Sequence, residues 1–342
     1  MFGATIFSFL NVACAADAVL NLYSARHYQT DEALYNDFTK RTGIKINRIE
    51  AGDEPLLERV RQEGRHSPAD VLLLVDAARL WKAQAEGLFQ PVNSALLNAR
   101  IPANLRAQAG DKGIEWFAFS TRARVIVYNK ASIKPDDVQS YEDLASPKMA
   151  GRVCTRSGAH PYMLSLVGSM IEHQGEQATE KWARQVVANM ARKPQGGDTD
   201  QIKAVASGEC GVALTNSYYW VRLLRSANPQ DKEIVSRVGF IWPNQKNTGT
   251  HMNIAGGGVL KYAPNPEAAR KFLDYLASDA AQIYFANGNN EWPAVKLTDN
   301  NRASENLALE SLGAFKVDTL SVERIGARQA AAQKLLDRAG YP

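Results

Sequence analysis

Two adjacent tyrosines, Tyr218 and Tyr219, follow Asn216-Ser217 and precede the apolar run Trp220-Val221-Arg222-Leu223-Leu224. Asn or Ser before an apolar-periodic stretch signals a helix N-cap, so both phenols are expected in the first turn of a helix. Backbone N–H groups are unpaired there, and the helix dipole favours negative charge. A strand would send the two rings to opposite faces. A helix start sets them only about 100° apart and can aim both oxygens at one point. Two convergent phenols can become phenolates around a strong cation. The plain alternative is a pair of aromatics packed at a domain edge.

Three more residues fall in comparable places. His27-Tyr28 lies in the loop after the first expected strand, and Tyr162 follows the strand expected around Cys154. Open α/β sheets bind ligands at the carboxyl ends of their strands, so His27, Tyr28, Tyr162, Tyr218 and Tyr219 are expected to face one cleft. Four phenols and an imidazole are hard oxygen donors plus one borderline nitrogen. Structural zinc prefers Cys and His, calcium and magnesium prefer carboxylates and carbonyls, and ligand type selects among metals more than affinity order does. A free phenol has a pKa of about 10, so ionising several near neutral pH calls for a strongly Lewis-acidic ion. Ferric iron is the common biological choice, and three phenolates would neutralise its charge. The residues leave Fe(II) open beside Fe(III).

Other motifs carry less. Gly256-Gly257-Gly258 lacks both the Walker ending and the GxGxxG spacing, and reads as a close-packed strand or hinge. No GxSxG elbow, HExxH, EF-hand loop or CxxC occurs, and no nucleophile–base pair stands out, so the chain is not expected to be an enzyme. The paired carboxylates Asp53/Glu54 and Asp136/Asp137 sit in turn or cap contexts. His66, His160, His173 and His251 show no partnered ligand pattern, although His160 and His251 could approach a cleft.

The elements that must hold these residues repeat as β–α units over 342 residues, long enough for two domains. Strands are expected at 18–23, 44–49 and 69–75, the last a continuous apolar run of the parallel type. Helices are expected from Thr30 as N-cap to Thr42, from Asp53 through Arg61 and Gln62, and over Ala77–Glu86. The alternating run 118–129 and the glycine-rich run 249–260 are each long enough to cross between domains. A helix is expected over Glu267–Ser278, continuing in register through Ala281–Ala286, and the tail from about Glu305 reads as mostly helical. A hydrophobic share of 45%, a charged share of 22% and a formal charge of +4 fit a soluble globular protein and give nucleic-acid binding no support.

Residues 1–16 resemble the apolar core and small-residue cleavage region of an export signal, with Ala13-Cys14-Ala15 at the cleavage position. The basic start of such a signal is missing, which would suit a start codon placed too far downstream. Cys14 as a lipidated cysteine is the alternative, against a poor lipobox. Removal of this segment leaves Cys154 and Cys210, an even pair in an oxidising compartment, and a disulfide between them is expected. Two buried thiols are the alternative.

These residues resemble the ferric-ion-binding proteins of bacterial ABC importers, above all their cyanobacterial iron-binding branch. The likeness is carried by Leu22-Tyr-Ser-Ala-Arg-His27-Tyr28, Ser67-Pro-Ala-Asp-Val71, Thr121-Arg-Ala-Arg-Val-Ile-Val-Tyr128-Asn, Gly151-Arg-Val-Cys-Thr-Arg156 and Asn216-Ser-Tyr218-Tyr219, and His251-Met-Asn-Ile-Ala-Gly256 and Asn290-Glu-Trp-Pro293 match in style. It covers roughly residues 18–340. It implies a periplasmic-binding-protein fold of the α/β class: two α/β lobes joined by a two-strand hinge, with the ligand cleft between them. The implied lobes are 17–119 plus 246–290 and 120–245 plus 291–342. Tyr28, Tyr162, Tyr218 and Tyr219 match the branch's four tyrosine ligands, and His27 a histidine that coordinates in some members only. Members outside the branch use a glutamate from the segment matching Val71–Asp76, where Leu72-Leu-Leu-Val-Asp76 has none. Arg122, Arg124 and Arg222 are candidate donors or counter-charges behind the phenols. The implied role is that of a monomeric periplasmic carrier passing iron to an ABC permease. The rival is a protein of the same fold binding an oxyanion or a small organic solute.

Overall fold

The computed structural model describes residues 18–26, 28–295 and 306–342. The expected export signal over 1–16, Cys14, His27 and Glu305 lie outside these residues. Among the described residues no helix is long and apolar enough to cross a membrane.

Among the described residues nine strands form the frame: β1 (Val19–Ser24), β2 (Lys45–Glu50), β3 (Val71–Val75), β4 (Phe117–Asn129), β5 (Val153–Cys154), β6 (Val212–Asn216), β7 (Val238–Ile241), β8 (Met252–Val259) and β9 (Trp292–Pro293). Their order is β2-β1-β3-β8-β4-β6-β5, with β7 and β9 also paired to β4. The early β–α units form as their caps dictate. The helix Asp31–Thr42 has acidic residues in its first turn and stops at Gly43, which takes a left-handed φ of 73°. The continuous apolar β3 is parallel to β1 as expected, but antiparallel to β8 on its other side. The reason is that β8 is a returning strand and runs against the β–α units.

The long run 118–129 is one strand whose two halves serve different partners. From Phe117 to Ala123, β4 pairs with β8, and β9 joins it at Ser120 and Thr121. From Arg124 to Asn129 it pairs with β6 and β7. The hydrophobic cores divide the same way. One draws on residues 20–119 and 254–295, with Val322. Two others draw on residues 126–241 and 332–341. This is the two-lobed periplasmic-binding-protein architecture, with β4 crossing between the lobes and β8 paired beside its first half. The glycine run of β8 is packed between backbones: a Cβ on Gly256 would stand 2.3 Å from the Phe117 carbonyl oxygen, and one on Gly257 2.4 Å from that of Leu72. Only glycine lets β8 come so close.

Two expectations fail in instructive ways. The run expected to be helical from Glu267 through Ala286 is two helices, Pro266–Leu276 and Asp279–Asn289. Ser278 breaks it by turning extended and accepting the Ala281 N–H at 3.3 Å. The tail is less helical than expected: after Leu307–Glu310 the chain runs irregularly to Val322–Ala327 and Gln329–Arg338. In that stretch Asp318 is held by His173 and Ser169.

Cys154 and Cys210 form a disulfide, with Cα atoms 5.9 Å apart and 56 residues of separation. Cys154 ends β5, and Cys210 lies just before β6, which pairs with β5 in parallel. The bridge therefore braces the two strands that lead into Tyr162 and the tyrosine pair. Closing a loop of this length removes about 4 kcal/mol of unfolded-state freedom. Cys154→Ala with Cys210→Ala is expected to lose stability of that order, which chemical denaturation of oxidised wild type and double variant will measure.

Candidate metal centre

The tyrosine pair sits where its sequence context places it. The helix Ser217–Arg225 directly follows β6, with Asn216 extended before it, so Tyr218 and Tyr219 are its second and third residues. Their ring centroids are 4.2 Å apart. The Asn216 side chain does not cap the helix; its Oδ1 accepts from the Arg124 Nη1 at 3.1 Å instead. Thr30, likewise, precedes the helix Asp31–Thr42 but bonds Asn289 rather than the helix backbone.

Tyr162 is the second residue of the helix Pro161–Gln174, with Pro161 at the first position, where a missing N–H costs nothing. His160 takes the cap: its Nδ1 accepts the Tyr162 N–H at 3.2 Å. Burial and the nearby Arg156 push this imidazole down to about 3, which keeps it neutral and able to accept. Tyr28 lies between β1 and the helix Asp31–Thr42. All four tyrosines line one cavity of about 510 Å³ together with Asp53, Arg156, His160 and Arg222. The Tyr162 and Tyr218 hydroxyls are 3.2 Å apart, and the Tyr28 ring meets the Tyr218 ring edge-on at 6.3 Å. Phenols from both lobes thus converge. His27, placed beside them by the sequence, lies outside the described residues.

Burial raises the pKa of three of these phenols. For Tyr28 the next cause is the Glu291 carboxylate, for Tyr162 the neighbouring Tyr219, and for Tyr218 the neighbouring Tyr162, with Arg122 opposing in each case. Each of the four rings also has a guanidinium against it. Arg26 lies 5.0 Å from the Tyr28 centroid, Arg122 5.8 Å from Tyr218, Arg124 5.7 Å from Tyr162, and Arg222 5.0 Å from Tyr219. Cations at this range are attracted to the ring faces, and Arg26 with Arg122 at Tyr28, and Arg122 at Tyr162 and Tyr218, also favour the ionised phenol against burial.

The three arginines singled out from sequence differ in their surroundings. Arg122 is fully buried and bonds Glu291 and the Ile254 carbonyl. Arg124 is buried against Asp198, at 2.6 Å, and Asn216. Arg222 is exposed and donates to Thr199 Oγ1 at 2.9 Å.

Sequence reasoning missed Arg26, Asp198 and the role of Glu291. Glu291 is fully buried and accepts from Arg122, from Ser120 Oγ at 2.6 Å, from Arg26 at 3.4 Å and from the Tyr28 hydroxyl at 3.3 Å. Arg26 also bonds Asp31 at 2.9 Å. Two cations and two anions therefore form a neutral buried cluster behind Tyr28. The only available signal for Glu291 was its place in Asn290-Glu-Trp-Pro293. Among the described residues no group of three or more His, Cys, Asp or Glu could hold a metal ion.

A cleft between two lobes, lined by polar groups from both, defines a solute-binding protein. The chain belongs to the bacterial extracellular solute-binding proteins, whose family model matches residues 33–306. It is 48% identical to iron uptake protein A1 of Synechocystis sp. over 94% of this chain and 87% of that protein. It is 28% identical to the major ferric iron-binding protein of Neisseria meningitidis, covering 97% of this chain and 96% of that one. Among solved structures it resembles a Trichodesmium protein (IdiA, FutA) in complex with iron and citrate ligands, with a TM-score of 0.89 and 49% identity over 95% of this chain and 100% of that chain.

Proposed function

We propose that this protein is the exported iron carrier of an ABC importer: a binding protein, not an enzyme, that takes up Fe(III) in the cleft between its lobes. The observation that carries the reading is the convergence of Tyr28, Tyr162, Tyr218 and Tyr219 on one cavity, each with a guanidinium against its ring. The iron-binding relatives support it. The four phenols are the ligands, with His27 as a fifth donor beside Tyr28. Arg122, Arg124 and Arg222 offset the charge of phenolates that exceed what the ion neutralises. The lobes divide at residues 120 and 246, and the 291–295 segment joins the first lobe because Ala294 and Val295 pack in its core. Metal binds first to the tyrosines of the second lobe, and closure brings Tyr28 across. The loaded monomer delivers its ion from the periplasm to a membrane permease.

Elemental analysis of the protein purified from iron-replete cells tests this reading: iron at one per chain supports it. The rival cargo is an oxyanion, favoured by Arg156 and Arg222 in the cavity wall. Metal-free protein holding a stoichiometric anion would establish that rival.

The raised phenol pKa values fix the sign of the pH dependence. Tyr28, Tyr162 and Tyr218 are held above the free-phenol value, so each of these that ligates must release a proton at neutral pH, and added protons compete with the metal. Iron affinity is therefore expected to fall as pH falls, by about tenfold per pH unit for each proton released. Chelator competition measured across mildly acidic to neutral pH will check this.

A further inference from the structure

The helix that opens with the tyrosine pair ends at Arg225. The Arg225 Nη1 donates to the Asn287 main-chain carbonyl and to the Asn290 Oδ1, both at 2.6 Å. Those acceptors close the helix Asp279–Asn289, which packs in the first lobe's core through Ala281 and Phe285. The last carbonyls of a helix have no partner within it and carry its negative dipole end, so this terminus is a natural seat for a guanidinium. Asn290 takes a left-handed φ of 60° as the cap and is also held by the Asn306 Nδ2 at 3.0 Å.

The same turn supports Tyr28. The Asn289 Nδ2 donates to Asp31 at 2.8 Å, Thr30 bonds Asn289, and Glu291, two residues on, accepts from the Tyr28 hydroxyl. The contact also lies beside the cavity. A groove lined by Thr30, Arg222, Arg225, Asn287, Gly288 and Asn290 shares Thr30, Arg222 and Gly288 with the tyrosine cavity.

We infer that Arg225 is a positioning residue, a clasp across the cleft mouth that ties the helix bearing Tyr218 and Tyr219 to the turn supporting Tyr28. It touches no cargo. It stabilises the closed arrangement in which phenols of both lobes meet, and so slows release. The clasp rests on the reading that the cleft closes over a metal ion.

The test uses Arg225→Ala and Arg225→Lys in the full chain, substitutions at an exposed site. Iron transfer to a strong chelator is timed after loading with Fe(III), and iron-free samples are compared by small-angle scattering. Arg225→Ala is expected to release iron about tenfold faster, the loss of a charge-assisted hydrogen-bond pair at a wet site. Its visible band should be unchanged, because the ligands are untouched. Its iron-free form should have a larger radius of gyration, and Arg225→Lys should recover part of both effects. Wild-type release and scattering in Arg225→Ala would overturn the clasp. A wild-type protein that takes up no iron would instead overturn the iron reading, and the scattering comparison would still decide the clasp.

Discussion

Tyr218→Phe combined with Tyr219→Phe is expected to abolish tight Fe(III) binding while leaving the fold intact. The two hydroxyls are the only atoms removed, and the rings keep their mutual packing and their contacts with Arg122 and Arg222. A four-ligand structural zinc site is worth about 10–16 kcal/mol, or roughly 3 kcal/mol per donor, and each phenolate here is taken as comparable. Two lost donors should therefore weaken binding by about four orders of magnitude. Chelator competition gives the affinity, and circular dichroism verifies the fold. Tight binding retained in the double variant would remove the pair from the site.

Glu291→Ala is expected to be the most damaging single change to stability. It leaves Arg122 and Arg26 buried opposite a missing carboxylate, with Ser120 and Tyr28 deprived of an acceptor. Breaking a buried ion pair by removing one partner costs about 3–5 kcal/mol. Glu291→Gln keeps the volume and an acceptor oxygen and should lose less. Urea denaturation of the iron-free proteins separates the two. Equal midpoints for wild type and Glu291→Ala would show that the cluster contributes nothing net.

What the sequence revealed was local in origin. Asn216-Ser217 before an apolar run was enough to place Tyr218 and Tyr219 in a first helical turn, and the alternation over 118–129 was enough to mark the strand shared by both lobes. The support behind the phenols was not legible, because it joins residues far apart in the chain. Arg26 and Glu291 are 265 positions apart, and Arg122 and Glu291 are 169 apart. Neither ion pair leaves a mark on local spacing. The caps at Asn216 and Thr30 show the same limit. Both residues stand at the expected helix starts, yet their side chains are drawn to Arg124 and Asn289, whose presence nearby only the tertiary fold decides.

The charge on the site also follows from the fold rather than from composition. Arg26 and Arg122 are answered by Asp31 and Glu291, whereas Arg124 and Arg156 share one carboxylate, Asp198. The second lobe's phenols are thus left with a cationic backing suited to phenolate ligands.

The most direct measurement of the central claim is a titration of iron-free protein with Fe(III), followed by visible absorption. Phenolate ligation gives a charge-transfer band that grows with added iron, stops at one ion per chain, and vanishes in Tyr218→Phe/Tyr219→Phe. A wild-type protein that binds iron and stays colourless would contradict tyrosine ligation outright.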